Sequence, residues 1–181
     1  MYSIFSQSKT NVIAGISLYR PGPMDFIPAY IKGKNNPQEI TYACPELEHI
    51  LAPTYSTIVY QEQVMQIVRD LGGYSLGRAD LVRRAMGKKK MDVMLAEKEQ
   101  FFKGCAERGI GQDIADQIFN QMVTFAQYAF NKSHAACYAV VAYRTAYLKT
   151  YYPAEFMAAM LNSFLGNLDK VPVYINECRR L

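Results

Sequence analysis

Residues 131–134 carry the side chains best suited to bind a phosphate, at the start of a long predicted helix. They are Asn131, Lys132, Ser133 and His134. A helix N-terminus carries partial positive charge and backbone N–H groups without helical partners. Cations placed there are repelled unless an anion is bound, so an ammonium, an imidazole and a hydroxyl together favour a phosphate-binding site. The alternative is that Asn131 or Ser133 only caps the helix and that the two basic side chains are solvated.

A second basic cluster lies on another predicted helix and just beyond its end. It is opposed by Asp80 alone and consists of Arg78, Arg83, Arg84, Lys88, Lys89 and Lys90. Lysines that follow a helix C-terminus complement its dipole and need no ligand. Arg83 and Arg84 lie within the helix and point about 100° apart. Because arginine holds phosphate through two parallel hydrogen bonds, this pair is suited to a polyphosphate.

The sequence lacks the patterns of a reaction centre. No Asp-x-Asp pair occurs, and the two Glu-x-Glu pairs, which begin at Glu46 and Glu97, lie in polar surroundings. Closely placed carboxylates are what two-metal phosphoryl transfer requires. No P-loop, nucleophile elbow or zinc-ligand spacing is present either. We therefore predict phosphate binding with no catalytic residue and no metal ligand in this chain.

Composition indicates a globular protein of ordinary domain size. The chain has 181 residues, of which 50% are hydrophobic, and a net charge of +4. The four cysteines are widely spaced, and Cys105 and Cys137 lie in apolar helical patterns, which predicts buried, reduced thiols. No signal peptide opens the chain, and no uncharged apolar run of about 20 residues occurs. We expect a soluble protein of the cytoplasm with no membrane partner.

The elements that position these clusters are predicted to be mainly α-helical. Residues 18–60 hold six of the eight prolines, which predicts an irregular segment whose short extended pieces, such as residues 57–60, allow one short β-hairpin. Beyond residue 60 the apolar residues follow helical spacing between glycine and proline breaks. The predicted helices are 61–71, 75–86, 92–107, 111–125, 133–151, 153–164 and 169–181.

Six motifs, in this order along the chain, resemble the alpha subunit of bacterial DNA polymerase III. They cover about residues 12–181 and are Leu18-Tyr-Arg-Pro-Gly-Pro-Met24, Val59-Tyr-Gln-Glu-Gln-Val-Met-Gln66, Gly73-Tyr-Ser-Leu-Gly77, Leu81-Val-Arg-Arg-Ala-Met-Gly-Lys-Lys89, Phe130-Asn-Lys-Ser-His-Ala135 and Ala142-Tyr-Arg-Thr-Ala-Tyr-Leu-Lys149. The resemblance implies the multi-helix fingers domain of a replicative DNA polymerase. On this basis we predict four segments. Residues 1–17 form a poorly matched junction, and residues 18–60 form an irregular segment packed on the helices. Residues 61–165 form the helical fingers core, and residues 166–181 form a C-terminal helix truncated toward a next domain.

The resemblance also implies roles for the basic residues. Those expected to bind the triphosphate of an incoming nucleotide are Arg83, Arg84, Lys88, Asn131, Lys132, Ser133 and His134. Those expected to contact DNA are Arg20, Arg78, Lys89, Lys90, Tyr138 and Arg144. The fragment itself is expected to hold no cofactor, because the Mg²⁺-binding aspartates of this family lie in the palm of the full-length enzyme.

The implied partners are primed template DNA, dNTP, and the palm and thumb of the parent chain. The sliding clamp and other replisome subunits are expected to bind regions outside this fragment, and the isolated fragment is predicted to be inactive. Two other hypotheses stay open on sequence alone. One is a stand-alone helical nucleic-acid-binding module without a catalytic role, and the other is a structural fragment whose basic clusters only form salt bridges.

Overall fold

The computed structural model describes residues 9–88, 91–126, 128 and 130–181, without the side chains of residues 86, 87, 91 and 126. Helices dominate these residues, which confirms the mainly α fold class. In chain order they are α1 (Lys9–Leu18), α2 (Ile27–Asn35), α3 (Glu48–Leu51), α4 (Gln61–Asp70), α5 (Leu76–Gly87), α6 (Met91–Ala96), α7 (Lys98–Ala106), α8 (Gln112–Ala126), α9 (Lys132–Tyr151), α10 (Pro153–Ser163) and α11 (Val171–Arg180).

The helices after residue 60 follow the predicted bounds closely, with one interruption. The predicted helix 92–107 is divided at Glu97 into α6 and α7. The Glu97 N–H donates to the Met94 carbonyl at 3.2 Å, which is the tighter three-residue turn of a helix end. Its carbonyl accepts a hydrogen bond from the Tyr74 hydroxyl at 3.0 Å. The turn at Glu97 is therefore hydrogen-bonded to Tyr74, which lies just before α5.

Three helices in the N-terminal part are absent from the sequence prediction: the longer α1 and α2, and the four-residue α3. α1 buries Asn11, Ala14, Gly15 and Leu18, which have helical spacing but include only one large apolar side chain. α2 contains Pro28 and Gly33, two residues that ordinarily argue against a helix. Pro28 lies in the first turn, where the missing N–H has no helical partner to lose. The residues of α1 and α2 are therefore compatible with helices, but their pattern does not predict them.

The rest of the proline-rich segment is irregular, as predicted. Four single 3-10 turns begin at or next to a proline, at Pro23–Phe26, Pro37–Glu39, Pro45–Leu47 and Ala52–Thr54. The β-hairpin that the sequence allowed is not formed by the described residues. Tyr60 instead makes one isolated parallel bridge with Phe130. The physical reason is that α4 begins at Gln61, so the extended segment has no adjacent return strand.

The chain divides into two compact units, Met1–Ala136 and Cys137–Leu181. In the first, α4 packs on α5 and α7 packs on α8. The main core between them is apolar and includes the fully buried Ile67, Leu71, Phe101, Phe119 and Met122. A smaller core joins α1 and α2 to the residues just before α4 through Leu18, Tyr30, Val59 and Tyr60. The domain boundaries predicted at residues 60 and 165 stay predictions.

Two backbones meet in the first unit at Gly72 and Gly104. A Cβ atom built on Gly104 would lie 1.9 Å from the Gly72 carbonyl oxygen, a distance that no real side chain tolerates. Gly73 follows with a φ of 68°, the left-handed region that glycine adopts without strain. α7 therefore packs directly against the turn that ends α4.

The second unit contains most of α9, with α10 and α11. Glu177 on α11 forms ion pairs with Arg180 and with Lys149 of α9. Arg180 and then Lys149 lower the pKa of Glu177 to about 2. Phe164 and Tyr174 stack with ring centroids 5.1 Å apart. The ion pair of Lys149 with Glu177 thereby joins α9 to α11.

The thiols differ from the prediction at one position. Cys44 and Cys105 are buried, but Cys137 is exposed, as is Cys178. The prediction of a buried Cys137 is wrong because apolar residues of α9 around it, such as Tyr138 and Val140, are themselves exposed.

Among the helices of the described residues, none combines the length and the apolar character needed to span a membrane.

Candidate functional site

The start of α9 is capped by the residue that precedes it. The Asn131 side-chain oxygen accepts a hydrogen bond from the His134 backbone N–H at 2.9 Å. This is the N-cap arrangement, in which a side chain satisfies a donor of the first turn. The capping alternative is thus correct for Asn131, whereas its binding to nucleotide stays a prediction. Asn131, Lys132, Ser133 and His134 are all exposed.

A carboxylate from another helix occupies the same helix end. The Lys132 backbone N–H donates to both carboxylate oxygens of Glu62, each at 3.0 Å. Glu62 lies in the first turn of α4, 70 residues earlier in the chain. A negative charge at a helix N-terminus is stabilised by the dipole. The anion inferred from the sequence is therefore supplied in part by the protein itself.

Tyr60 and Phe130 hold the two segments together beside this contact. The Gln61 N–H donates to the Phe130 carbonyl at 3.0 Å. The Lys132 ammonium lies 5.3 Å from the centroid of the Tyr60 ring, within the range of a cation–π contact. Tyr60 is only 1% exposed, and burial, followed by the charge of Glu62, raises the pKa of its hydroxyl.

Gln63 fixes the backbone from which Tyr60 and Glu62 project. Its side-chain oxygen accepts from the Val59 N–H at 2.8 Å and from the Tyr60 N–H at 3.0 Å. Its amide nitrogen donates to the Ile50 carbonyl at 3.2 Å and to the Thr54 hydroxyl at 2.7 Å. Gln63 is buried, so this amide uses its hydrogen-bonding capacity to join α4 to the segment before it.

Arg20, an isolated arginine in the sequence, is brought to the start of α9. Its guanidinium carbon lies 5.0 Å from the centroid of the Phe130 ring. The His134 ring lies on the same aromatic side chain, with centroids 5.5 Å apart. Phe130 is therefore a shared support for Arg20 and His134, and the structure groups these two with Lys132.

The arginines of α5 are held by their own helix. Arg83 Nε lies 2.8 Å from one carboxylate oxygen of Asp80, and Arg84 Nε lies 2.7 Å from the other. The hydrogen bond from Arg83 is the largest cause that lowers the pKa of Asp80; burial opposes it, and Arg84 lowers the pKa further. Lys88 is exposed at the end of the helix. One carboxylate therefore balances half of the charge that this arginine pair carries.

The remaining predicted contacts fall in three places. Arg78 forms an ion pair with Glu97 at 2.8 Å and lies over the Tyr74 ring, with its guanidinium carbon 4.7 Å from the centroid. It thus connects α5 to the turn between α6 and α7. Tyr138 and Arg144 are exposed on α9 within the second unit. Lys89 and Lys90 lie outside the described residues.

The chemistry of these groups is that of anion binding. Lys132 and Arg20 supply ammonium and guanidinium donors, His134 supplies an imidazole, and Ser133 adds a hydroxyl that can donate or accept. Within residues 9–88, 91–126, 128 and 130–181, no group of three or more His, Cys, Asp or Glu side chains could hold a metal ion. The sequence analysis missed Glu62, Tyr60, Phe130 and Gln63 as parts of this site. These residues lie in two of the motifs that carry the resemblance, but nothing in the motifs indicates that the two segments meet. Glu62 also stands in the first turn of α4, where it serves its own helix dipole equally well.

Comparison with a family model and comparison with individual proteins both identify relatives of the same family. Residues 5–109 match the family described as bacterial DNA polymerase III alpha subunit finger domain. The DNA polymerase III subunit alpha of Neisseria meningitidis serogroup A is 55% identical over 168 residues, which cover 93% of this chain and 15% of that protein. Its counterpart in Borreliella burgdorferi is 50% identical over 94% of this chain and 15% of that protein. The DNA polymerase III subunit alpha of Thermus aquaticus is 48% identical over 94% of this chain and 14% of that protein. The chain thus spans about 15% of the length of the curated relatives it matches.

Proposed function

The chain belongs to the bacterial DNA polymerase III alpha subunit finger domain family, and on that premise we propose that it is the fingers portion of a replicative DNA-directed DNA polymerase. In this role it binds the triphosphate of the incoming dNTP and the template DNA during 5′–3′ synthesis. The reaction itself belongs to the whole polymerase, with Mg²⁺ held in the palm. Its partners are primed DNA, the palm and thumb, and, outside this segment, the sliding clamp and other replisome subunits.

The observation that carries the proposal lies at the start of α9, where Arg20 and His134 contact Phe130 and the exposed Lys132 lies over Tyr60. A triphosphate has several oxygens that accept hydrogen bonds from cationic donors, and each such bond contributes about 1.5–3 kcal/mol. In phosphoryl transfer the protein acts largely by positioning and by neutralising charge. Three basic side chains from two parts of the chain are suited to that task.

The α5 arginines support the same role. Asp80 engages the Nε atom of Arg83 and the Nε atom of Arg84. A guanidinium has two further nitrogens that can donate to a phosphate. The shared carboxylate therefore orients both side chains while leaving donors for a polyphosphate or for the template backbone.

Steady-state kinetics of the full-length polymerase test the proposal. Lys132→Ala and Arg83→Ala should each lower kcat/KM for dNTP by roughly 10- to 100-fold, since each removes a charged hydrogen-bond donor. Lys103→Ala removes an equal charge from an exposed position on α7 and serves as the control. Wild-type kinetics in both site variants would contradict the assignment.

Assays on the 181-residue chain separate this proposal from a stand-alone nucleic-acid-binding module. We expect no nucleotide incorporation on a primed template and only weak DNA binding. A stand-alone module would bind DNA measurably, with an affinity that falls steeply as salt concentration rises. Incorporation by the chain alone would show that the reaction centre lies within it and would overturn the proposed role.

A further inference from the structure

We propose that Glu62 is a positioning residue for nucleotide binding. Its carboxylate holds the first turn of α9 in place, so that Lys132 and His134 present their side chains to the phosphates of the substrate. The inference rests on the proposed function of the α9 start as part of the dNTP site. Glu62 is negatively charged and therefore does not bind phosphate itself. It acts on nucleotide binding through the position of its neighbours.

The contact between Glu62 and α9 is well defined. Both carboxylate oxygens lie 3.0 Å from the same donor, the Lys132 backbone N–H. Asn131 accepts the N–H of His134. The backbone donors of residues 132 and 134 therefore already have acceptors from the chain. A phosphate that approaches this turn meets the side chains of these residues instead of their backbone N–H groups.

Glu62 is itself held by fixed neighbours. On one side, the buried Gln63 accepts the N–H groups of Val59 and Tyr60. On the other, Gln61 donates to the Phe130 carbonyl two residues before the Glu62 contact. The pairing of residues 60–62 with residues 130–132 thus fixes where α9 begins. A side chain placed in this way can determine the position of Lys132 in the absence of substrate.

The charge of Glu62 also suits this role. Lys132, Arg20 and the positive end of α9 repel one another in the absence of an anion. The Lys132 ammonium lies over the Tyr60 ring, on the residue two positions before Glu62. The carboxylate charge offsets only a minor part of this repulsion, because Glu62 is half-buried and partly screened by solvent, so its acceptor oxygens do most to hold the first turn of α9 in place.

The test is a set of Glu62 variants in the full-length polymerase, with kcat and KM for dNTP measured separately. Glu62→Ala removes the acceptor and should raise KM about fivefold, as expected for loss of a helix-capping contact, with kcat within about twofold of wild type. Glu62→Gln keeps an acceptor oxygen and should leave KM within about twofold. Glu62→Asp keeps the charge but shortens the side chain, and should give an intermediate KM.

Coupling to Lys132 distinguishes positioning from a general structural effect. If Glu62 acts through Lys132, adding Glu62→Ala to Lys132→Ala should change KM by less than about twofold, so the two effects are not additive. The matched controls are Glu99→Ala and Glu99→Gln, at an exposed glutamate in the first turn of α7. Both controls should retain wild-type KM.

Three results would overturn the proposal. They are a wild-type KM in Glu62→Ala, even with lowered stability; a KM in Glu62→Gln as high as in Glu62→Ala; and full additivity with Lys132→Ala. If Glu62→Ala does not fold, the comparison of Glu62→Gln with Glu62→Asp decides, and equal KM values for these two count against it. Failure of the proposed function looks different, because then Lys132→Ala itself has a wild-type kcat/KM for dNTP.

Discussion

The two basic clusters are stabilised over very different distances along the chain. On α5, Arg83 and Arg84 are held by Asp80, three and four residues before them on the same helix. At the start of α9, Lys132 is held by Glu62 and Tyr60, and His134 and Arg20 meet at Phe130. The group of Asp80, Arg83 and Arg84 is a property of one helix, whereas the α9 cluster exists only when separate parts of the chain have folded together.

This difference bears on how each cluster responds to change. Exposed pairs at helical spacing contribute little stability and re-form as long as the helix does. The residues that contact the α9 cluster are held by buried hydrogen bonds, such as those of Gln63 with the backbone of Val59 and Tyr60. Loss of one partner leaves the other buried polar group without a hydrogen bond. We therefore expect the α9 start to be sensitive to substitutions at residues outside the basic cluster itself.

The largest effect is expected at Gln63. Gln63→Ala leaves the buried N–H groups of Val59 and Tyr60 and the Ile50 carbonyl without this partner. Unfolding free energy should fall by about 3 kcal/mol, measured by urea denaturation of the chain.

Gln66→Ala is the matched control, because Gln66 is an exposed glutamine on the same helix. Its unfolding free energy should stay within about 0.5 kcal/mol of wild type. Equal losses in the two variants would show that the Gln63 network does not support the α9 start as the comparison requires.

A smaller effect is expected at the helix cap. Asn131→Ala removes the acceptor of the His134 N–H and should cost about 1 kcal/mol, whereas Asn131→Ser retains a capping oxygen and most of the stability. Thermal unfolding followed by circular dichroism measures both. A Ser variant as unstable as the Ala variant would show that the capping bond is not what stabilises this turn.

The smallest effect is expected at Asp80, where Asp80→Asn should change stability only slightly at neutral pH. The arginines lower the folded-state pKa of Asp80, so its contribution is present above the unfolded pKa, near 4, and is lost as pH falls through the folded value. The difference between wild type and Asp80→Asn should therefore disappear in acid, as measured by urea denaturation at neutral pH and at about pH 2. A difference that grows as pH falls would contradict the ion-pair geometry.

The sequence was sufficient for the helices that have a clear apolar face and clear ends. α4 and α8 follow the periodicity of their buried residues, and Pro153 marks where α10 starts. α1 could not be found this way, because its buried face is made of Asn11, Ala14 and Gly15 besides Leu18. Hydrophobic periodicity reports the chemistry of a face, and small or polar residues can be buried without it.

The candidate site shows the same limit. The basic residues and the Asn131 cap are visible in the sequence because they are local features. Glu62 was not found, because the sequence contains no information on which helix end it faces. Arg20 was named only through the resemblance, and its place beside His134 was not predicted because its support, Phe130, is distant in the chain. Positions fixed by tertiary pairing have to be read from the structure.

The contact between Gly72 and Gly104 predicts an uneven mutational landscape across the helical core. At Gly104 even a methyl group would overlap the Gly72 carbonyl, so every amino acid other than glycine should be rejected there. Gly77 and Gly111, by contrast, face open space and should accept many residues. A deep mutational scan would therefore find full intolerance at Gly104, although this glycine takes no part in the candidate site.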